Sequence, residues 1–341
     1  MNLASRRSFI KSGAAALAAS PILSAFAKAG LFAEETAKNK ALIWGILLHL
    51  GHNMWGDRPG TYMGAVDHLT FEEDLWDKLT EKASELGLNM AVIDLGEGIQ
   101  YKSHPEIAIK GAWSVEKLRG DLERLRKLGL EPIPKLNFSS SHDLWLGQYS
   151  RMVSTPTYYQ VCSDLVKEVV EIFDRPRFFH LGYDEEAYIH QDIMDLEYVL
   201  IRKGELWKHD FLFFVDQCEK LNVRPWIWAD YAWDHKEFLE WAPKSIVMSN
   251  WYYKDDFDPK NNPTIQCYLD IDAAGYDQIL TGSDIWEYIE NFEKTVKFGR
   301  ENLSKERVLG YLMAPWRFTE SEYQELNMRS LKLIGDAIKN Y

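Results

Sequence analysis

Three carboxylates, Asp184, Glu185 and Glu186, stand in a row at the end of an apolar run, in the stretch "FFHLGYDEEA" over residues 178–187. Adjacent like charges repel, and partial burial adds to the cost of ionising them, so one of the three is expected to hold its proton near neutral pH. A protonated carboxyl beside an ionised one is what general acid–base chemistry requires. The period of two along a strand puts His180, Gly182 and Asp184 on one face and Phe179, Leu181 and Tyr183 on the other. At the last residue the chain can turn, which would bring Asp184 and Glu185 into one pocket.

Other apolar runs also end in reactive or hydrogen-bonding side chains. They deliver His49 followed by His52 and Asn53; Asp94 and Glu97; Lys135 and Asn137; Trp228 and Asp230; Asn250 and Trp251; and Trp316 with Arg317. His142 follows in "SSSHD". In the fifth run Trp226, Trp228 and Asp230 share a face, with Ile227 and Ala229 on the other. A lone strand-end acid such as Asp94 or Glu97 serves equally well as a helix N-cap, Lys135 as partner to a neighbouring carboxylate, and His142 as a turn cap. Trp113, Trp145, Trp207 and Trp241 read as packing residues. Capping alone does not account for polar or tryptophan ends on seven of eight runs. Trp228, Trp251 and Trp316 suit the apolar faces of a sugar ring, and the carboxylates and amides suit its hydroxyls. The combination reads as carbohydrate chemistry.

The elements that must position these residues repeat one pattern from residue 40 onward. Eight short apolar runs, at 41–50, 89–96, 131–138, 177–184, 223–230, 245–251, 275–282 and 308–316, alternate with amphipathic stretches such as "FEEDLWDKLTEKASELG", "SVEKLRGDLERLRKLG", "YYQVCSDLVKEVVEIF" and "WEYIENFEKTVKFGREN". Apolar residues recur there at spacings of three and four, and several stretches end in Gly or Asn, as helices do. The expected fold is α/β, a single-domain (β/α)8 TIM barrel over residues 40–341, with function at the C-terminal ends of the strands. An open doubly wound sheet is the runner-up, but no GxGxxG or GxxxxGK[ST] follows the first run.

With 341 residues, 46% hydrophobic and 13% aromatic, the chain can bury a large core. A net charge of −13 leaves no basic surface for nucleic acid. Cys162, Cys218 and Cys267 are scattered and read as buried thiols; no cofactor and no metal is expected. At the N-terminus "SRRSFIKSG" sets Arg6 and Arg7 before Phe9, Ile10 and Lys11, and an alanine-rich segment closes in "AFA" at 25–27. Residues 1–27 look like a twin-arginine signal peptide, followed by a linker over 28–39. The apolar segment is too short to span a membrane. The expected partner is the twin-arginine export machinery, and the expected location periplasmic or extracellular.

"HLGYDEE" resembles the H-x-G-G-D-E segment that ends the fourth strand in family 20 glycoside hydrolases, the β-N-acetylhexosaminidases. The resemblance implies a (β/α)8 barrel in which Glu185 is the acid/base and Asp184 polarises the substrate's own 2-acetamido group, so that no enzyme nucleophile is needed. His180 and Gly182 fill the matching places. "WIWAD", "GYDQIL" and Trp316 are similar to later parts of that barrel, and Trp228, Trp251 and Trp316 would enclose the acetamide. The sequence departs from the pattern where Tyr183 replaces the second glycine. No arginine occurs in residues 41–57, where the family grips its substrate, and "PKLNFSSSHD" stands for an acid followed by a Pro-Gly-His turn, with His142 as its echo. The small domain preceding the family's barrel has no room here. The expectation is an exported glycoside hydrolase acting on an oligosaccharide or glycoside. Two alternatives stay open: a metal-dependent sugar isomerase or lyase drawing on His49, His52, His180, Asp94, Glu97 and Asp184, and a non-catalytic carbohydrate-binding barrel.

Overall fold

The computed structural model describes residues 41–60 and 63–341. The signal peptide expected over 1–27 and the linker over 28–39 lie outside the described residues. Eight parallel strands close in chain order into a barrel: β1 (Ile43–His49), β2 (Met90–Asp94), β3 (Glu131–Lys135), β4 (Phe178–His180), β5 (Arg224–Trp228), β6 (Val247–Ser249), β7 (Asp277–Gly282) and β8 (Val308–Met313). Each of the eight runs contains one strand, and the chain is a single (β/α)8 barrel. Closure between β8 and β1 depends on Gly310, where an added Cβ would lie 2.2 Å from the Ile43 carbonyl oxygen.

Period two sorts the side chains. Ile43, Leu47, Met90, Val92, Ile133, Phe178, Trp226, Trp228, Val247, Ile279 and Leu312 fill the barrel interior. Ile46, Leu48, Ile93, Phe179, Ile227, Met248, Leu280 and Tyr311 pack outward against the helices. Because both faces are buried, the strands read as nearly continuous apolar runs. The main helices span Glu73–Glu85, Val115–Lys127, Pro156–Ile172, Gly204–Lys220, Pro263–Ala273, Asn291–Asn302 and Gln324–Asn340. Local signals set their starts: the Ser114, Thr155 and Asn262 side chains accept from the Lys117, Tyr158 and Thr264 amides, with Pro156 and Pro263 in the first turn.

The stretch at 286–302, read from its spacing as one helix, is helical only from Asn291. Trp286 (φ +54°) and Glu287 (φ +63°) take left-handed conformations that break the helix. Among the described residues no helix is long and apolar enough to cross a membrane. Cys162, Cys218 and Cys267 are free and buried.

Candidate active site

Beyond β4 the chain leaves strand geometry at once. Gly182 (φ +73°), Tyr183 (φ +70°) and Glu185 (φ +56°) are all left-handed, and this turn brings Asp184 and Glu185 into one cavity. Tyr183 goes the other way, into an aromatic nest of Trp207, Phe211 and Phe214 with Arg202 over its ring. The bulk that replaces a glycine therefore stays outside the cavity. Glu186 turns to the buried Arg202 guanidinium and accepts from the Ser140 amide at 2.9 Å. Arg202 also meets Asp210 Oδ2 at 3.3 Å and donates to the Phe138 carbonyl at 2.9 Å. The row of three carboxylates is thus divided, two facing the cavity and one neutralised behind it.

The loop after β3 holds the pair. Asn137 Nδ2 donates to Asp184 Oδ1 at 2.8 Å, and the Ser139 and Ser141 hydroxyls donate to the Asp184 and Glu185 carbonyls at 2.5 and 2.6 Å. His142 Nε2 lies 3.0 Å from Glu185 Oε2 and 3.5 Å from Asp184 Oδ2, and His190 Nδ1 is 3.3 Å from Glu185 Oε1. Burial disfavours charge on His142, but Asp184 and Glu185 outweigh it and push the imidazole up to about 9. For Glu185 burial works upward, yet the hydrogen bond and charge of His142, with His190, hold it below its usual range.

Glu185 is thus not the member of the row that keeps a proton, and an acid raised beside it is Asp230. Burial first, then the charges of Asp184 and Glu185, push Asp230 up to about 8. It accepts from the Glu185 amide at 2.8 Å through Oδ2 and from Trp251 Nε1 at 3.2 Å through Oδ1.

The cavity, roughly 710 Å³ with its open mouth, is walled by Trp55, Trp228, Trp251, Trp286, Trp316 and Tyr253, with Met63, Met194 and Ile285 at its edges and His142, Asp184 and Glu185 as its ionisable groups. Trp228 Nε1, Trp316 Nε1 and the Tyr253 hydroxyl are buried without a hydrogen-bond partner in the protein. Such groups pair with ordered water or with a polar ligand.

Several sequence candidates lie outside this lining. His49, Asp94, Lys135 and His180 are register neighbours around the barrel and form a buried belt. Lys135 pairs with Asp94, His49 Nδ1 is 3.6 Å from Asp94 Oδ2, and His180 Nδ1 accepts from the Gly182 amide at 3.1 Å. Burial, then the charge of Lys135, holds both histidines far below their usual value. Glu97 accepts from the His52 and Asn53 amides at 2.9 and 3.0 Å, and Asn53 bridges to Val66. Asn250 joins Trp233 to the Thr264 carbonyl, and Arg317 binds Asp284 and Ser330. Sequence reading missed Trp55, Tyr253, Trp286 and His190. Only Tyr253 left a signal, standing two residues after Trp251.

The six residues of the metal alternative do not converge, and Lys135 supplies the cation that balances Asp94. Among the described residues the one cluster that could hold an ion is His142, Asp184 and Glu185, whose donor atoms lie within 4.8 Å of one another.

The barrel is similar to that of a GH20 exo-β-N-acetylglucosaminidase from Vibrio harveyi, with a TM-score of 0.62 and 14% identity, over 87% of this chain and 54% of that one. It is also similar to a β-N-acetylhexosaminidase from Bacteroides fragilis (0.57, 13%, 85% and 65%) and a GH20 β-N-acetylhexosaminidase from Streptomyces coelicolor (0.58, 12%, 86% and 64%). The chain spans about half the length of the Vibrio protein. No family model matches the sequence, and no curated protein is similar to it. At these identities the likeness is one of fold.

Proposed function

We propose that the protein is a glycoside hydrolase that cleaves β-N-acetylhexosaminides with the help of the substrate's own acetamido group. The observation that carries this reading is the adjacent pair Asp184 and Glu185, sharing one imidazole at 3.5 and 3.0 Å within a tryptophan-walled cavity. Two neighbours held by one histidine approach a sugar from the same side, whereas an enzyme nucleophile must attack the face opposite the leaving group. Asp94, Glu97 and Asp230 do not line the cavity. The fold neighbours carrying hexosaminidase names support the same reading.

In the first step the acetamide oxygen attacks C1 while Asp184 accepts a hydrogen bond from the amide N–H and balances the charge gathering there. The bond from C1 to the leaving oxygen breaks, and Glu185 gives that oxygen its proton. Water then adds to C1, losing its proton to Glu185, and the acetamide re-forms with retained configuration. The charges of Asp184 and Glu185 favour a proton on His142, hydrogen-bonded to Glu185. A bound sugar excludes water, penalises the separated charges and favours passing that proton to Glu185. The Tyr253 hydroxyl, buried without a partner, is the donor suited to the acetamide oxygen.

The test is release of aryl alcohol from aryl β-glycosides with and without the 2-acetamido group, by wild type, Glu185→Gln and Asp184→Asn. Cleavage confined to acetamido sugars and lost in both variants is expected. Cleavage of plain glycosides would overturn the substrate-assisted mechanism. We further propose that the chain is exported through its twin-arginine segment, on the strength of residues 1–27. Replacing Arg6 and Arg7 with lysine should leave the protein in the cytoplasmic fraction, and unchanged export would overturn that assignment.

A further inference from the structure

Glu185 stands between two imidazoles of unlike setting. His142 Nε2 lies 3.0 Å from its Oε2, with 2% of the histidine side chain exposed; His190 Nδ1 lies 3.3 Å from its Oε1, with 33% exposed. The first comes from the loop after β3. The second comes from the short helix Tyr188–Ile193, which follows the three carboxylates in the chain and is capped by Met194 at the edge of the cavity. The two oxygens of the proposed acid are thereby distinguished. Oε2 is tied to the buried side, and Oε1 has the open one.

The segment that carries His190 is pinned at both ends. Buried Gln191 accepts from the Leu200 amide at 2.8 Å and donates to the Leu200 carbonyl at 2.6 Å. Its Nε2 also lies 3.4 Å from Ser141 Oγ, and Ser141 in turn holds the Glu185 carbonyl. Farther on, Arg58 Nη2 meets Asp195 Oδ2 at 2.6 Å, and Asp57 accepts from the Glu197 amide at 2.8 Å, which fastens the segment to the loop after β1. The backbone of His190 is fixed, while its ring keeps a face toward solvent.

In the second step of the proposed reaction water takes the place vacated by the leaving oxygen. The carboxyl oxygen that gave its proton to that group then takes one from the water. Oε1 is that oxygen, since Oε2 is engaged by His142. An imidazole nitrogen and a carboxylate oxygen 3.3 Å apart can share one water, about 2.8 Å from each. With the ring neutral and its proton on Nε2, Nδ1 accepts one hydrogen of the water and Oε1 the other. A lone pair of the water oxygen is left to face C1.

We propose that His190 holds the hydrolytic water, gripping the hydrogen that is not transferred. The water oxygen bonds C1, the bond from C1 to the acetamide oxygen breaks, and one water proton passes to Oε1. The other stays on the new hydroxyl, hydrogen-bonded to Nδ1 until the product leaves, so His190 neither gains nor loses a proton. The proposal rests on the glycosidase reading and adds a preference to it. An alcohol has one hydrogen and cannot serve both atoms, so water is the favoured acceptor.

The experiment follows wild type, His190→Ala, His190→Leu and His190→Asn on an aryl 2-acetamido-β-glycoside whose leaving group departs fast, so that the second step limits kcat, with methanol as a competing acceptor. Leucine fills the room of the ring without an acceptor, and asparagine sets its carbonyl oxygen near the place of Nδ1. In the alanine and leucine variants kcat should fall about tenfold, and the ratio of methyl glycoside to free sugar should rise about tenfold, the worth of one hydrogen bond. The value of kcat/KM, which reports the first step, should hold or rise, since the charge of His190 keeps a proton off Glu185. Asparagine should recover most of the ratio. That ratio is set by one intermediate and does not depend on how much of a variant folds. A ratio unchanged in both variants, a rise in the alanine variant alone, or equal losses in kcat and kcat/KM would overturn the proposal while the glycosidase reading stands. If wild type releases no aryl alcohol from any glycoside, that reading fails and the role of His190 fails with it.

Discussion

Replacing Gly182 by alanine tests whether the left-handed turn after β4 is what builds the proposed catalytic pair. The new Cβ would lie 1.9 Å from Asn137 Oδ1 and 2.9 Å from Asn137 Cα. Asn137 cannot yield easily, because Oδ1 accepts from the Ser139 and Tyr183 amides at 3.1 and 3.3 Å while Nδ2 holds Asp184 at 2.8 Å. A non-glycine residue in this conformation costs about 1–2 kcal/mol, and losing a buried hydrogen bond to a charged group about 1.5–3 kcal/mol more. The sum, about 3–5 kcal/mol, is a large part of a typical domain's stability and predicts a fall in Tm of roughly 5–15 °C. Displacing Asp184 by about 1 Å would lower kcat some hundredfold. The assay is thermal unfolding beside aryl-glycoside turnover. The double variant Gly182→Ala with Asn137→Gly removes the struck side-chain atoms but keeps the backbone strain, the close Cα and the missing hydrogen bond to Asp184, so its Tm and kcat should both stay low. A single Gly182→Ala variant with unchanged Tm and kcat would refute the reasoning.

Tyr253→Phe removes a buried hydroxyl that has no protein partner, so its stability should hold or rise slightly while kcat falls about 10–100-fold, the loss expected of one oxyanion donor or somewhat less; unchanged kcat would remove it from the site. His142 is raised from 6.5 to about 9, so the stability its charge confers is complete below pH 6.5 and lost as pH rises through about 9. Asp230 and Glu97, raised to about 8 and about 7, weaken the fold in the same direction, so the measurement is the difference in Tm between wild type and His142→Gln across pH 6–10, which should shrink toward high pH. Because no metal enters the proposed steps, prolonged chelation should leave aryl-glycoside turnover unchanged; loss restored by a divalent ion would place that ion on His142, Asp184 and Glu185.

The barrel was legible because strands buried on both faces and helices with one buried stripe leave different periods in the chain. Parity in the fourth and fifth runs correctly separated Tyr183 from Asp184, and Ile227 from Trp228. It could not reveal that His49, Asp94, Lys135 and His180 sit side by side in a buried belt where Lys135 pairs with Asp94, since strand register is a tertiary property. Nor could it assign the proton. Asp230, two residues beyond β5, is raised because folding buries it and sets it beside Asp184 and Glu185, while His142 holds Glu185 low. Trp286 was hidden for a local reason: its spacing fits a helix, and only distant Arg317 and Arg329, anchored on Asp284, impose the break.

The meeting of β1 and β8 has a bearing on synthesis. Trp55 follows the first strand and Trp316 the last, and they touch edge to face with ring centroids 6.3 Å apart; Thr319 donates to the His49 carbonyl at 2.8 Å. A ribosome-bound chain that has released seven strands already carries Asp184, Glu185 and His142, yet has no finished wall for a ligand to lean on. The cavity wall is therefore complete only once β8 has paired with β1 and carried Trp316 into place.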